Sequence, residues 1–410
     1  MISLLYYFYS FSIPFQEYLL PIADNLKLNP FIFLPLILSL FNKNLSYNPV
    51  NLSAFILFVF TLIFPRFDIV PQVLLFICFS YPFFLVRISK SSLRFALLGL
   101  KQVTYLVCFL VLSEIIVQLF FGSAGFSFIR NFYTVDYTST NFYVQDNYLF
   151  LGYLRPITFF TEPSHCAVYL CLVNLIFSIN KDIHYPKLLK ILIILSVFTL
   201  GSLSGMILLI VTELSCFLNY NFSNSFSFKG FIIKYNIKTL FKSFLYSSSV
   251  LLFPIYLFLS QANRFKSITH ALFTSSLIAG GEAERLGAFI PCYDLLFSNN
   301  YLFGLGLGNT TQYLSDNYPY ISSFAAGKIP NMMANLILTF GFLGFLLIAL
   351  SFFILFKNIS LVNLTVIFSF LFFLSFTMGN FYNSYIWQPL FILVNVLYLQ
   401  RLNSKSTYFS

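Results

Sequence analysis

The sequence predicts an all-α, polytopic integral membrane protein with about twelve transmembrane helices. Three observations carry that prediction. Hydrophobic residues make up 59% of the 410 positions and charged residues only 9%, whereas soluble domains are about 45–50% apolar and about 25% charged. The mean hydropathy is +0.84. Apolar runs recur along nearly the whole length, so the chain crosses a bilayer repeatedly instead of hanging a soluble domain on one anchor.

Each element follows from its own run. "MISLLYYFYS" has no basic segment ahead of it, which predicts a first membrane helix over 2–20 and not a cleaved signal peptide. Apolar runs predict further helices over 28–42, 52–65, 70–86, 96–121 and 163–180. Residues 188–200 and 203–219 flank "GSLSG" and form either a close hairpin or one long broken helix. Helices over 243–260, 331–356, 359–378 and 383–400 complete the set. Several fall short of the roughly 20 residues that cross about 30 Å of hydrocarbon.

Charge sets the orientation. The loops around 87–101, 181–190 and 229–242, with Lys43, Lys357, Arg401 and Lys405, hold fifteen of the 23 basic residues. Basic loops mark the cytoplasmic side. Reading 188–219 as a hairpin keeps two of these loops on that side. Both termini are then cytoplasmic, and 122–162 and 261–330 become long periplasmic loops on a single transmembrane domain, 1–410. The net charge of +10 therefore has a topological explanation. No basic stretch alternates with exposed aromatics in a soluble region, which argues against nucleic-acid binding. The six cysteines show no CxxC pair and no zinc-type spacing, so neither a disulfide framework nor a zinc site is indicated, and no cofactor is expected.

Two external segments hold the candidate chemistry. Five of the eight arginines lie outside under this topology: Arg66, Arg130, Arg155, Arg264 and Arg285. Lysine suffices to orient helices, but the planar arginine fork binds phosphate oxygens in pairs and stays charged. Pairing with Asp136, Asp146, Glu282 or Glu284 is the plainer use of each one. In "RPITFFTEPSHCAVYL", Pro163 suits a first helical turn and Thr161 or Glu162 suits a cap. The same geometry offers a helix N-terminus to an anion, with Arg155 folding back over it and Glu162 as a general base. His165 is the second candidate base. In the other loop "LGAFIPCYDLLF" predicts a short interfacial helix, and "GLGLGN" predicts a tight re-entrant turn, since no strand–turn–helix context supports a nucleotide loop. Glu114 and Glu213 are the acids deep in predicted helices, with Glu17 near an end.

Four blocks, Arg155–Ser164, Ser202–Gly205, Arg285–Gly308 and Asn331–Gly344, follow the order "R..(t/g).F.EPS", "S.SG", "FG.GLG" and "N...N.....G.LG". This pattern resembles the Wzy-type O-antigen polymerases, in the superfamily that also holds the O-antigen ligases. The resemblance implies a GT-C-like fold in the bacterial inner membrane and a metal-independent, inverting glycosyltransferase. It implies transfer of a growing glycan from undecaprenyl pyrophosphate to the non-reducing end of a lipid-linked repeat unit at the periplasmic face. Glu162 would take the acceptor proton; Arg130, Arg155, Arg264, Arg285 and Asn331 would bind diphosphate and glycan. A chain-length regulator is a candidate partner. Two departures stand out. Pro330 occupies the position where ligases usually carry histidine, and the arginine–glycine spacing of some polymerases is absent at all four loop arginines. The competing readings are an O-antigen ligase and a repeat-unit flippase or transporter. The latter would place ionisable groups at mid-membrane.

Overall fold

The computed structural model describes residues 2–15, 20–23, 26–28, 49–63, 80–133, 149–150, 153–154, 158–160, 163–180, 186–223, 287–298, 300–306, 309–318, 331–356, 361–378 and 384–406, together with 34, 37, 77, 156 and 329. It is predominantly helical. The helices are α1 (Ile2–Phe11), α2 (Pro49–Ile63), α3 (Lys90–Tyr133), α4 (Pro163–Ile179), α5 (Lys187–Thr199), α6 (Leu203–Ser223), α7 (Ile290–Leu296), α8 (Asn309–Asn317), α9 (Met332–Phe356), α10 (Leu361–Thr377) and α11 (Ser384–Ser406). Two short antiparallel ribbons accompany them: β1 (Leu20–Ala23) with β2 (Leu26–Leu28), and β3 (Leu149–Phe150) with β4 (Tyr153–Leu154). Two stretches, Lys90–Gly122 and Met332–Phe356, are long and apolar enough to cross a membrane.

Several expectations hold and several need correcting. The elements at 52–65, 163–180, 188–200, 203–219, 359–378 and 383–400 match α2, α4, α5, α6, α10 and α11 to within a few residues, except that α11 continues to Ser406. The predicted helix over 2–20 is wrong beyond Phe11. A 3-10 turn at Ile13–Phe15 contains Pro14, which has no N–H to continue the ladder. The 87–101 loop is helical from Lys90, and the same helix runs through Gly122 to Tyr133, into the presumed external loop. Gly122 breaks it with φ 63° and ψ −157°, a region only glycine enters readily. The helices expected at 28–42 and 243–260 lie outside the described residues, apart from isolated positions 34 and 37, and most of 70–86 does too.

The chain divides into two compact units: residues 1–48, 76–209 and 383–410, and residues 49–75 and 210–382. In the first, α3 is the axis. It meets α1 where a Cβ on Gly99 would collide with the Tyr7 carbonyl, so the two backbones touch through a missing side chain. Tyr7 Oη donates to Gln102 Oε1 beside this contact. Helix α4 is buried almost all round from Cys166 to Phe177, the signature of a central helix and not a surface one. The chain breaks at "GSLSG" into two helices, α5 ending at Thr199 and α6 starting at Leu203. Gly201 turns the chain at φ 56°. Ser202 then caps α6, its Oγ accepting from Gly205 N at 3.3 Å. A Cβ on Gly205 would run into that of Ala167, so the "S.SG" block is a helix cap followed by a close-packing glycine.

Helix ends in this unit are closed by side chains. Arg87 is buried, and its guanidinium donates to the carbonyls of Phe83, Phe84 and Val86 at 3.2, 2.9 and 2.8 Å. It thereby satisfies the last carbonyls of the helical residues 80–85. Asn395 of α11 adds a second tie, accepting from Ile88 N at 2.8 Å and donating to Phe391 O at 2.9 Å.

The second unit packs α9 against α2 and α7. Its small core comprises Ala288, Cys292, Leu295, Leu314, Tyr318, Ile329, Ala334, Ile337 and Leu338. Cys292 is buried inside α7 and donates weakly to Ala334 O at 3.7 Å.

Candidate functional site

The start of α4 is the first candidate. Pro163 opens the helix as its spacing predicted, because the missing N–H of proline is unneeded in a first turn. Thr161, Glu162 and Arg155 lie outside the described residues, as do Arg264 and Arg285. The flanks of Glu162 are described on both sides. Upstream, Thr158 is almost fully buried and holds φ 52°, an uncommon conformation for a β-branched residue. What fixes it there is Glu114: its Oε1 accepts the Thr158 backbone N–H at 3.0 Å, with the carboxylate wholly buried. Holding a residue in such a region costs about 1–3 kcal/mol, and it persists only where surroundings over-determine it.

Aromatic rings complete the clamp. Phe159 meets Phe15 with ring centroids 4.4 Å apart, and Phe160 lies between Tyr169 at 5.5 Å and Tyr385 at 6.1 Å. Downstream of Glu162, His165 is half-buried in the first turn, its ring 5.0 Å from Tyr385. Tyr169 is anchored in turn by Thr104, 3.2 Å from its hydroxyl. Residues 158–160 are therefore held by Glu114, Phe15, Tyr169 and Tyr385, and His165 packs on Tyr385. Sequence reasoning noted Glu114 only as a carboxylate in an apolar run. Its partner is 44 residues away and belongs to no local pattern.

The second candidate joins the two glycine blocks. Helix α9 is not continuous: Gly341 sits at φ 70° and ψ −179° and splits it. The split would orphan backbone groups, and residues 301–306 take them up. Leu305 N and Gly306 N donate to Leu338 O and Thr339 O at 2.8 and 3.0 Å, while Phe342 N and Leu343 N donate to Tyr301 O and Leu302 O at 3.0 and 3.2 Å. Residues 301–306 make the turn, with Gly304 at φ 73° and Gly306 at φ 87°, while Leu307 and Gly308 lie outside the described residues. The purpose of the turn is to approach a broken helix closely. A Cβ on Gly304 would stand 2.6 Å from Thr339 O, and one on Gly341 would stand 2.5 Å from Gly304 N. Non-helical backbone inside an apolar span is tolerable only where such partners exist.

Asn331 belongs to this second candidate. It is buried, and its Oδ1 caps α9 by accepting from Ala334 N at 3.0 Å. Asn335 accepts from Thr339 Oγ1 at 3.1 Å one turn later. Arg130 falls on α3 beyond the Gly122 break. His165 lies in the first unit and Asn331 in the second, each described within its own. The short helix expected from "LGAFIPCYDLLF" is α7, and it leaves Tyr293, Leu296 and Phe297 exposed while burying Pro291, Cys292 and Leu295. Tyr318 donates to Asp294 Oδ2 at 2.6 Å and ties α8 to α7. Burial, and then the Asp294 carboxylate, push the Tyr318 hydroxyl well above its ordinary value.

No protein-family model matches this chain, and no curated protein matches it either.

Proposed function

We propose that the protein is a membrane-embedded polysaccharide polymerase of the O-antigen type, with about twelve spans in a GT-C-like arrangement and a periplasmic site. The observation that carries this reading is the backbone docking of residues 301–306, with the first glycines of "FG.GLG", onto the broken helix at "G.LG" of 341–344. The blocks that the resemblance isolates in sequence form one contact in space, and a docking that tolerates no Cβ explains why both are glycines. The tethering of residues 158–160, just ahead of Glu162, supports it further, since a base must be held to act.

In the proposed step the acceptor hydroxyl oxygen attacks the anomeric carbon of the donor glycan and its proton passes to Glu162. The bond from that carbon to the diphosphate oxygen breaks, and the electron pair leaves on undecaprenyl pyrophosphate. Attack opposite the leaving group inverts the centre. Arg155, Arg264, Arg285 and Arg130 would hold the diphosphate, His165 is the second candidate base, and Asn331 is a glycan-side candidate whose oxygen already caps α9.

Glu162→Gln and Arg285→Ala test the reading in cells making O-chains. Each should leave single capped repeat units in place of long chains, and wild-type length in both would overturn it. Deletion separates the rivals. A polymerase loss leaves one repeat attached, a ligase loss leaves long lipid-linked polymer unattached, and a flippase loss leaves repeat units undelivered.

A further inference from the structure

A cavity of about 510 Å³ in the first unit lies along α3, at the opposite end from Glu114 and the first candidate. It is lined by Lys90, Ser91, Leu93, Arg94, Leu97, Asn180, Val396 and Leu399. Lys90, Leu93, Arg94 and Leu97 recur at i, i+3, i+4 and i+7, so one stripe of α3 forms a wall. Lys90, Ser91 and Arg94 are exposed, while Leu93, Leu97, Val396 and Asn180 are buried. The lining therefore joins a cationic rim to an apolar wall, and among the described residues no acidic side chain contributes to it. Among the described residues neither Lys90 nor Arg94 has a carboxylate partner.

Three features fit one kind of ligand. First, Ser89 caps α3, its Oγ accepting from Ser92 N at 3.2 Å and its carbonyl from Leu93 N at 2.9 Å. The amides of Lys90 and Ser91 are left with no partner among the described residues, at the end of the helix where the dipole favours anions. Second, the volume falls in the range of about 300–1,000 Å³ typical of small-ligand sites. That is room for a phosphoglycerol headgroup but not for two acyl chains. Phe95 and Leu98, 40% and 44% exposed beside Arg94 on α3, continue the apolar surface where chains would lie. Third, the depth is right. The apolar stretch Lys90–Gly122 has 33 residues, about 50 Å at roughly 1.5 Å per residue. A bilayer is about 40–45 Å thick with its headgroups, so a first turn at Lys90 stands at headgroup level. Glu114, 24 residues on, is about 36 Å further along the axis, beyond a hydrocarbon core of about 30 Å.

We propose that this cavity binds an anionic glycerophospholipid, with the Arg94 fork and the Lys90 ammonium on its phosphodiester and its chains running out over Phe95 and Leu98. The proposal rests on the membrane reading but not on polymerase chemistry, so the two fail separately. Basic pockets between membrane helices recognise such headgroups through charge that zwitterionic lipids do not reward. Arginine supplies the paired donors and lysine a compact charge.

The test uses purified full-length protein in neutral detergent, titrated with short-chain phosphatidylglycerol while thermal unfolding is followed. Phosphatidylcholine of the same chain length and inorganic phosphate are the two controls. Phosphatidylglycerol should raise the melting temperature saturably and the controls should not. K90Q with R94Q should weaken the apparent affinity roughly 30-fold, at about 1 kcal/mol for each basic residue. Both side chains are exposed, so the variant folds. K101Q with K187Q removes the same charge outside the cavity and should leave the titration unchanged. Three results would each overturn the assignment: no saturable shift, an equal shift with inorganic phosphate, or an equal loss in the K101Q/K187Q control.

Discussion

Replacing Gly341 with alanine puts a methyl group where the turn at 301–306 already sits. The new Cβ would lie 2.5 Å from Gly304 N and closer still to the Leu302 carbonyl. Both obstacles are backbone, so no side chain can swing aside. The φ of 70° with ψ near 180° adds strain of about 1–3 kcal/mol for any residue with a Cβ. If the turn undocks to relieve the clash, the four hydrogen bonds from Leu305, Gly306, Phe342 and Leu343 are lost. At about 0.5–1.5 kcal/mol each that is about 2–6 kcal/mol more. Gly122 supplies the control, because it has nearly the same dihedrals and nothing within 4 Å of its added Cβ. Gly122→Ala should therefore cost only the strain, about 1–3 kcal/mol. Thermal unfolding of the two purified variants should separate them by at least about 2 kcal/mol, or roughly 4–8 °C for a unit of this size. Limited proteolysis should cut the 301–306 turn faster in Gly341→Ala alone. If Gly341→Ala melts no lower than Gly122→Ala, the docking does not stabilise the protein and the link between the glycine blocks is lost.

Glu114→Leu should orphan the buried Thr158 N–H at a cost of about 1–3 kcal/mol and shorten the polymer formed, whereas Glu114→Gln keeps an acceptor oxygen and should restore most of both. Equal defects in the two variants would show that charge, and not the bond to Thr158, is what matters. Burial pushes the Cys292 thiol up to about 12 from 9.0, so folding favours its protonated form. That contribution is complete below pH 9 and drains away as pH rises from 9 through 12. Cys292→Ala should accordingly lose stability less steeply than wild type across this window in equilibrium unfolding, and parallel curves would refute the assignment.

Helix content was legible because a helix is a local object. Its ladder joins residues four apart, and the apolar runs at 163–180 and 188–219 carry their own punctuation in Pro163, Gly201 and Ser202. The same locality explains the errors. The predicted helix over 2–20 stops at Phe11 although its composition stays apolar beyond, and hydropathy does not distinguish a helix from the ribbon at Leu20–Ala23. The charges at 87–101 were expected in a cytoplasmic loop, but Lys90 and Arg94 stand on a helix, where cation and apolar wall share one face.

By itself the sequence determined a helical, strongly apolar chain and the order of its glycine and serine blocks. Only the tertiary structure decided what the buried polar groups are for. Glu114 meets a backbone amide 44 residues on, and Gly341 breaks a helix because a turn some 35 residues earlier supplies its missing partners. The reason is energetic: a buried carboxylate or an open backbone group must find a partner, and which partner it finds depends on packing that no window of neighbouring residues contains.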